Sequence, residues 1–146
     1  MLQRKLTSNY LFIDFLIHPL PIFCVFITFF NDHWLKAHFA GVITGKLSDI
    51  CGLFYFPLLL CAFFMIVRRF LFMQPLLFYL PKSWLVFSIL LTGVIFVLVK
   101  VYPPATAFYI TRLSEVGINA KVTRDFSDLS ALPILILTYW FGRRFF

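Results

Sequence analysis

Charged residues are scarce in this sequence, and their scarcity excludes most classes of soluble protein. Only 13% of the 146 residues are charged, whereas 62% are hydrophobic and 21% are aromatic. Because these charges are too few to cover a soluble globule of this size, we expect the chain to lie in a bilayer. Cysteine is scarce as well: Cys24, Cys51 and Cys61 all lie in apolar runs, where they are expected to pack as small residues.

Four apolar runs approach the length of a transmembrane helix, which needs about 20 residues to cross about 30 Å of hydrocarbon. They predict spans at about residues 11–31, 47–67, 84–101 and 126–141. The runs are continuous, unlike the alternating strands of a membrane β-barrel. No cleavage site follows Phe30, so we interpret the first run as a retained span. The sequence therefore predicts an all-α fold, an integral membrane four-helix bundle forming a single transmembrane domain.

Basic residues flank the predicted spans and favour one orientation. Seven of them, with no acid, fall on one side: Arg4, Lys5, Arg68, Arg69, Lys82, Arg143 and Arg144. The other side has six, mixed with five acids: Lys36, Lys46, Lys100, Arg112, Lys121 and Arg124. Because cytoplasmic flanks are enriched in Lys and Arg, we predict a bacterial inner-membrane protein with both termini cytoplasmic. The net charge of +7 is interpreted as orientation and lipid anchoring, with no nucleic-acid partner.

The loop before the last span has a helical pattern of its own. Apolar residues recur there at three- and four-residue spacing: Ala105, Phe108, Tyr109, Leu113 and Val116. Polar residues fall between them, and Gly117 follows as a stop signal. This pattern predicts a short amphipathic helix over about residues 104–116, lying on the outer membrane surface.

Two decapeptides, each at the mouth of an apolar run, resemble each other. TGKLSDICGL (residues 44–53) and TRDFSDLSAL (residues 123–132) share Thr, Ser, Asp and Leu at matching positions. The alignment pairs Thr44 with Thr123, Ser48 with Ser127 and Asp49 with Asp128. We therefore predict two tandem related helical hairpins, a parallel repeat about an axis along the membrane normal.

Capping is the simplest interpretation of the polar residues in these decapeptides. Thr44 or Ser48 would accept hydrogen bonds from free backbone N–H groups, and Asp49 would lie in the first helical turn. Asp125, with Asp128 three positions later, has the same pattern. Capping places an acid at each helix start, but it requires no basic neighbour.

A basic residue nevertheless lies near each acid. Lys46 stands three residues before Asp49, and Arg124 stands four before Asp128, so each pair shares a helical face. Such pairing is expected for charges below the headgroups, because an unpaired charge at the bilayer centre costs about 2.5–3.5 kcal/mol. Small residues four apart, Ser48 with Gly52 and Ser127 with Ala131, also predict close helix approach. We therefore expect Asp49 and Asp128 to lie near each other.

These observations predict a polar cluster at the outer face of the bundle that binds an ion or a partner. One function for it is the handling of a cation, a proton or a small solute, which in so short a chain requires a homo-oligomer or a membrane-protein partner. The alternative is an assembly or accessory subunit, in which the cluster docks a membrane-protein partner or locks the helices. The predicted members are Asp32, His33, Thr44, Lys46, Ser48, Asp49, Thr123, Arg124, Asp125, Ser127 and Asp128.

Motifs for catalysis and for cofactors are lacking. Residues 41–47 resemble a phosphate-binding loop, but only three residues separate the glycines and Leu47 replaces the magnesium-binding hydroxyl. Asp32, His33 and His38 are metal-ligand types, yet they form no tight ligand motif. We therefore predict no catalytic residue, no metal site and no cofactor, and treat a lipid-active enzyme as the remaining alternative.

Three polar motifs together carry a family resemblance. They are Asn31-Asp32-His33, Thr44-Gly-Lys-Leu-Ser-Asp49, and Arg124-Asp125 with Asp128-Leu129. In this respect the chain resembles a family of small bacterial multi-pass membrane proteins of unassigned function. The resemblance implies that the three motifs form one recurrent signature, and it implies no substrate, cofactor or reaction.

Overall fold

The structure is a computed structural model that describes residues 14–39, 41–72, 82–117 and 125–146. These residues form helices and no strand, so the predicted all-α class is confirmed. The α-helices are α1 (Asp14–Ile17), α2 (Pro19–Phe30), α3 (Lys36–His38), α4 (Val42–Phe72), α5 (Lys82–Val101), α6 (Pro103–Glu115) and α7 (Ile134–Gly142). A π-helical segment (Asn31–Leu35) joins α2 to α3, and a 3₁₀ helix (Phe126–Ala131) precedes α7.

Among the described residues, two helices are long and apolar enough to cross a membrane by length and composition. They are Thr44–Phe72 and Lys82–Val101, and each contains an 18-residue stretch with a mean hydropathy of 2.5. Phe126–Gly142 is a shorter apolar helix. This last segment was predicted as one span, but it divides into a 3₁₀ and an α-helical part at Pro133, whose missing N–H cannot continue the hydrogen-bond ladder.

The first helical run is interrupted at its start and extended at its end. Pro19 occupies the first position of α2, where its missing N–H is no loss, and His18 Nδ1 caps the helix by accepting from Leu20 N at 3.3 Å. Beyond Phe30 the chain does not leave the helix, because the π-helical segment leads directly into α3. The helical path therefore runs from Pro19 to His38, further than the predicted span.

Helix α4 begins before its predicted start because of a cap that Thr44 provides. Thr44 Oγ1 accepts a hydrogen bond from Gly41 N at 3.2 Å, which satisfies a backbone donor at the start of the helix. The 31-residue helix then continues to Phe72 with Pro57 inside it. Thr44 is thus a capping residue, as the sequence interpretation allowed, and Ser48 has a different role.

Side-chain contacts between helices define the two ends of the bundle. Lys100, at the end of α5, reaches Asp49 near the start of α4 and Asp128 in the 3₁₀ helix. We call this the polar end. At the opposite end Phe15 of α1 packs on Phe146, with ring centroids 5.2 Å apart. We call it the arginine end, after Arg68, Arg69, Lys82, Arg143 and Arg144.

The core lies between the two ends, towards the arginine end, where α4, α5 and α7 meet. Its largest buried side chains include Phe54 and Leu58 of α4 and Leu85 of α5. Phe54 and Phe141 of α7 have ring centroids 5.5 Å apart. This packing sets the position of α7 along α4, and it therefore also sets the position of Arg143 and Arg144, which follow α7.

Two helices approach each other closely at Gly93 and Gly142, and not at Gly52, where the sequence predicted it. A side chain at Gly52 would have nothing within 4 Å, so the small pair of Ser48 and Gly52 does not mark a close contact. At Gly142 an added Cβ would lie 2.8 Å from a methyl group of Leu85, and at Gly93 it would lie 3.0 Å from Leu135. The close approach is therefore between α5 and α7, because both glycines lie on faces where these helices meet.

Helix α6 follows the polar end and packs on the last turn of α5. Thr106 Oγ1 donates to the carbonyl oxygen of Val99 at 2.6 Å, and Thr106 is buried. Phe108 and Tyr109 are exposed, so the described residues leave part of its apolar face uncovered. The helix occupies nearly the range that the amphipathic pattern predicted.

Candidate functional site

A single lysine connects the two acids that the decapeptides contribute. Lys100 Nζ lies 2.8 Å from Asp49 Oδ2 and 2.6 Å from Asp128 Oδ2. The side chains are mostly buried, with exposed fractions of 11% for Lys100, 21% for Asp49 and 11% for Asp128. We call these three residues the Lys100 triad. It joins α4, α5 and the 3₁₀ helix, and with two carboxylates around one ammonium it has a net charge of −1.

Lys100 was not among the predicted site residues, although the sequence contains a signal for it. It lies in the last turn of an otherwise apolar helix. Three and four positions away on the same chain stand only Phe96, Val97, Pro103 and Pro104. In the predicted span, a lysine without an acid on its own helical face is expected to pair with an acid on another helix.

Lys46, which the sequence assigned to Asp49, is not the partner of that acid. Within the described residues Asp49 is ion-paired with Lys100, and Lys46 is in no ion pair. The reason is the direction of helical side chains, which lean towards the N-terminus, so the side chain of Lys46 leans away from Asp49. The other predicted pair was Arg124 with Asp128, and Arg124 lies outside the described residues, as does the predicted site residue Thr123.

A second set of polar contacts joins the end of α2 to the start of α4. Asn31 Nδ2 donates to the carbonyl oxygen of Thr44 and to Ser48 Oγ, both at 2.6 Å. Ser48 Oγ in turn donates to Asp32 Oδ1 at 2.6 Å, and Lys36 Nζ contacts the same oxygen at 2.7 Å. We call these five residues the Asn31 network.

Asn31 is the central member of this network and is fully buried. Because the carbonyl of Thr44 only accepts, the amide nitrogen of Asn31 must face it. This orientation leaves Asn31 Oδ1 as the one buried side-chain N or O atom without a hydrogen-bond partner among the described residues. An unsatisfied buried acceptor costs about 1–3 kcal/mol, and the π-helical backbone at Asn31 is a rare conformation that recurs at functional sites.

The hydrogen bonds of the network stabilise the charged form of Asp32. Partial burial alone would raise the pKa of this carboxyl group. The hydrogen bonds from Lys36 and Ser48, together with the charge of Lys36, outweigh burial and hold the pKa below its usual value of 3.8. Asp32 therefore stays ionised at neutral pH and accepts from Ser48 as a carboxylate.

Asp125 and Ser127 are placed by capping and not by the Lys100 triad. Asp125 Oδ1 accepts from the backbone N–H of Ser127 at 2.8 Å, so Asp125 is the N-cap of the 3₁₀ helix, as the capping interpretation predicted. This hydrogen bond lowers the pKa of the exposed Asp125 carboxyl group, with a smaller contribution from the charge of Lys46. The side chain of Ser127 is exposed, whereas its repeat equivalent Ser48 is part of the Asn31 network.

His33 lies beside the polar end but faces away from both sets of contacts. Its Nδ1 is 2.9 Å from the carbonyl oxygen of Phe29, to which it donates, and its ring stacks on Phe29 at 4.3 Å between centroids. The neighbouring turns continue the same stacking, with Trp34 over Phe30 and close to His38. His33 is therefore part of an exposed aromatic surface.

The predicted residues thus fall into three groups. The structure brings Asp49 and Asp128 together around Lys100, and it joins Asp32, Thr44 and Ser48 through Asn31. It separates Lys46, His33, Asp125 and Ser127 from these contacts, and within the described residues no three His, Cys, Asp or Glu side chains are placed to hold a metal ion. Every ionic group of the triad has a partner inside the chain.

Comparison with known proteins adds no assignment: no family model, curated protein or solved structure matches this chain.

Proposed function

We propose that this chain is a non-enzymatic multi-pass protein of the bacterial inner membrane with four spans. The two helices of spanning length support this, and so do the apolar helices α1 and α2, which lie within the predicted span at residues 11–31 and end at Phe30, before the polar residues Asn31 and Asp32. Phe126–Gly142 would form the shortest span. On α2 the side chains of Phe23, Phe26 and Phe29 are each more than 60% exposed, which suits a face in contact with lipid.

The distribution of charge supports an orientation with the arginine end in the cytoplasm. Among the described residues this end has five basic side chains and one acid, Asp14. The polar end, including α6, has four basic residues and five acids: Lys36, Lys46, Lys100, Arg112, Asp32, Asp49, Glu115, Asp125 and Asp128. The excess of Lys and Arg at one end, five against four, follows the positive-inside rule and supports an orientation in which both termini are cytoplasmic.

For the polar cluster we propose a locking role within an assembly or accessory subunit. The observation that carries this proposal is that Lys100 Nζ contacts Asp49 and Asp128 at the same time, within 2.8 Å and 2.6 Å. A cation site open to solutes would need carboxylate oxygens that the chain itself does not occupy. Here the internal ammonium takes that place and ties three elements together, so the triad fixes the register of α4, α5 and the 3₁₀ helix.

The same contacts support the proposed repeat of two hairpins. In the first hairpin a polar side chain at the end of one helix, Asn31, binds the Thr44–Asp49 motif at the start of the next. In the second, Lys100 at the end of α5 binds Asp128 in the matching motif. The two motifs differ locally, because residues 126–131 form a 3₁₀ helix where residues 47–52 are α-helical.

Substitution of the two acids tests the locking role. We expect Asp49→Asn and Asp128→Asn each to lower the thermal stability of the detergent-solubilised protein and its recovery as a single oligomeric species. Asp125→Asn is the matched control, because Asp125 is an exposed acid of the same end and lies outside the triad. Parent-like stability and oligomeric state in the double variant would remove the locking role.

Handling of a cation or proton is the second candidate, and one observation favours it. The triad has a net charge of −1, and the network beside it contains the unpartnered Asn31 Oδ1, so the polar end retains capacity to accept a cation. This function predicts ion or proton flux in liposomes containing the parent protein, and loss of flux in folded Asp49→Asn and Asp128→Asn variants. The locking role predicts no flux from the parent.

A further inference from the structure

The exposed face of α7 ends in two arginines that share one aromatic ring. Arg144 Cζ lies 4.5 Å and Arg143 Cζ lies 5.4 Å from the ring centroid of Trp140, which is 50% exposed. Stacking on an aromatic ring uses the face of a guanidinium group and leaves its N–H donors at the edges. The ring of Trp140 therefore holds both guanidinium groups in place and leaves their N–H donors available to a ligand.

Neither guanidinium group is neutralised within the described part of the chain. Four ion pairs occur there, and none of them includes Arg143 or Arg144. Both side chains are exposed, at an end whose described charges are five basic residues against one acid. A concentrated positive charge of this kind attracts anions, and the planar fork of arginine matches the oxygen pair of a phosphate.

Apolar residues continue the same helix face in the direction of the polar end. Ile136 and Leu137 are 73% and 50% exposed, and each shares its side of α7 with Trp140. The opposite face, with Thr138 and Phe141, is buried against the bundle. One exposed stripe thus runs from apolar side chains, through an indole, to two guanidinium groups.

This order matches an amphiphile, whose phosphate would lie at the arginines and whose acyl chains would lie along Ile136 and Leu137. We propose that the stripe formed by Ile136, Leu137, Trp140, Arg143 and Arg144 binds an anionic phospholipid of the inner leaflet. The inference rests on the proposed membrane location, in which a tryptophan marks the headgroup level and basic residues face the cytoplasmic leaflet.

Lipid competition on the full-length protein tests this proposal. The protein is purified in a neutral detergent and titrated with phosphatidylglycerol or phosphatidylcholine, and bound lipid is counted by native mass spectrometry. We expect a preference of roughly tenfold or more for phosphatidylglycerol, the order that two basic residues near an anionic phosphate supply. The same preference should appear as greater thermal stabilisation by the anionic lipid.

Charge-matched variants locate the site. Arg143→Gln combined with Arg144→Gln should abolish the preference, whereas Lys46→Gln combined with Arg112→Gln removes the same charge at the polar end and should preserve it. Trp140→Leu keeps an apolar side chain but removes the ring that orders both arginines, and it should weaken the preference. The parent titration decides the proposal even where a variant fails to fold.

Three results would overturn the inference. They are equal binding of the two lipids by the parent, equal loss of preference in the polar-end control, and displacement of the lipid by glycerol phosphate at similar concentration, which would mark a site for phosphate alone. Alkaline carbonate extraction of the parent from membranes is measured separately. Release by carbonate contradicts the membrane location itself, while retention without lipid preference contradicts only the lipid site.

Discussion

Lys100 Nζ lies 2.6 Å from Asp128 Oδ2, across 28 residues of sequence and between two elements that α6 separates along the chain. The contact places a charge from the end of α5 directly on the 3₁₀ helix that leads into α7. Asp49 approaches the same ammonium from α4. The desolvation penalty of buried charges is nearly as large as the electrostatic attraction between them. The Lys100 triad is therefore expected to contribute more to the register of the helices than to the net free energy of unfolding.

Removal of the lysine should be more damaging than removal of either acid. Lys100→Met leaves two carboxylates facing each other in a largely buried site, and we expect a loss of about 3–5 kcal/mol in the free energy of unfolding, as for other broken buried ion pairs. Unfolding in mixed micelles followed by circular dichroism measures it. Adding Asp128→Asn to Lys100→Met should recover part of the loss, because it removes one of the unpaired charges.

Lys46→Met is the matched control for this experiment. It deletes a lysine of the same end, on the same helix as Asp49, that is in no ion pair within the described residues. We expect a change within about 0.5 kcal/mol, as is usual for substitutions away from buried contacts. If Lys46→Met lowered the free energy of unfolding as much as Lys100→Met, Lys46 would be the ion-pair partner of Asp49, as the sequence spacing predicts.

The comparison of Lys46 with Lys100 indicates what sequence alone can predict here. The positions of Asp49 and Asp128 follow from their shared decapeptide, because both acids stand where an apolar run begins. The choice of cation does not follow, because a lysine side chain reaches several ångströms and helix packing decides which acid it meets. Asn31 is absent from the predicted cluster for a related reason: the sequence indicates that a span ends at residue 31, whereas the helical path continues through it to His38.

Asn31 should be intolerant of a change that alters only one atom. Asn31→Asp keeps the shape of the side chain but sets a carboxylate oxygen against the carbonyl of Thr44, beside the ionised Asp32. We expect destabilisation of more than about 2 kcal/mol, because a donor in a buried site is replaced by a charge without a partner. Ser127→Ala, at the exposed repeat equivalent of Ser48, should change the unfolding midpoint little. Similar midpoints for the two variants would contradict the network.

The stabilisation that ionised Asp32 gives to the folded state should disappear at acid pH. The folded-state pKa of Asp32 lies below its unfolded value of 3.8, so its stabilisation is fully present above pH 3.8 and disappears as the pH falls through the lower folded value. The difference in unfolding midpoint between the parent and Asp32→Asn should therefore be constant near neutrality and close under acid. The difference should also shrink in high salt, because the Asp32–Lys36 pair is partly exposed. A difference that persists unchanged below that range would contradict the assignment.

Two glycines in different helices, Gly142 of α7 and Gly52 of α4, should respond oppositely to alanine. Gly142→Ala places a methyl group 2.8 Å from Leu85, a fully buried side chain, and 3.5 Å from Leu58, so we expect a loss of about 1–3 kcal/mol from overpacking. Gly52→Ala meets no atom within 4 Å and should be neutral or stabilising, by up to about 1 kcal/mol from helix propensity. The reverse order in thermal stability would contradict the placement of α7 on α5.

Cys24 and Cys51 provide a direct test of how α2 packs on α4. Asn31 contacts Thr44; Cys24 lies seven residues before this contact on α2, and Cys51 lies seven residues after it on α4. Because the two helices run antiparallel, we expect the two cysteines to lie at the same level and close together. Copper phenanthroline should therefore join them in a disulfide, with the two thiol hydrogens and two electrons passing to the oxidant. Cys61, whose thiol donates to Ser88 Oγ at 3.2 Å, should remain free for alkylation after unfolding. Cys51→Ser should leave Cys24 alkylated as well, and alkylation of all three cysteines in the oxidised parent would refute the register.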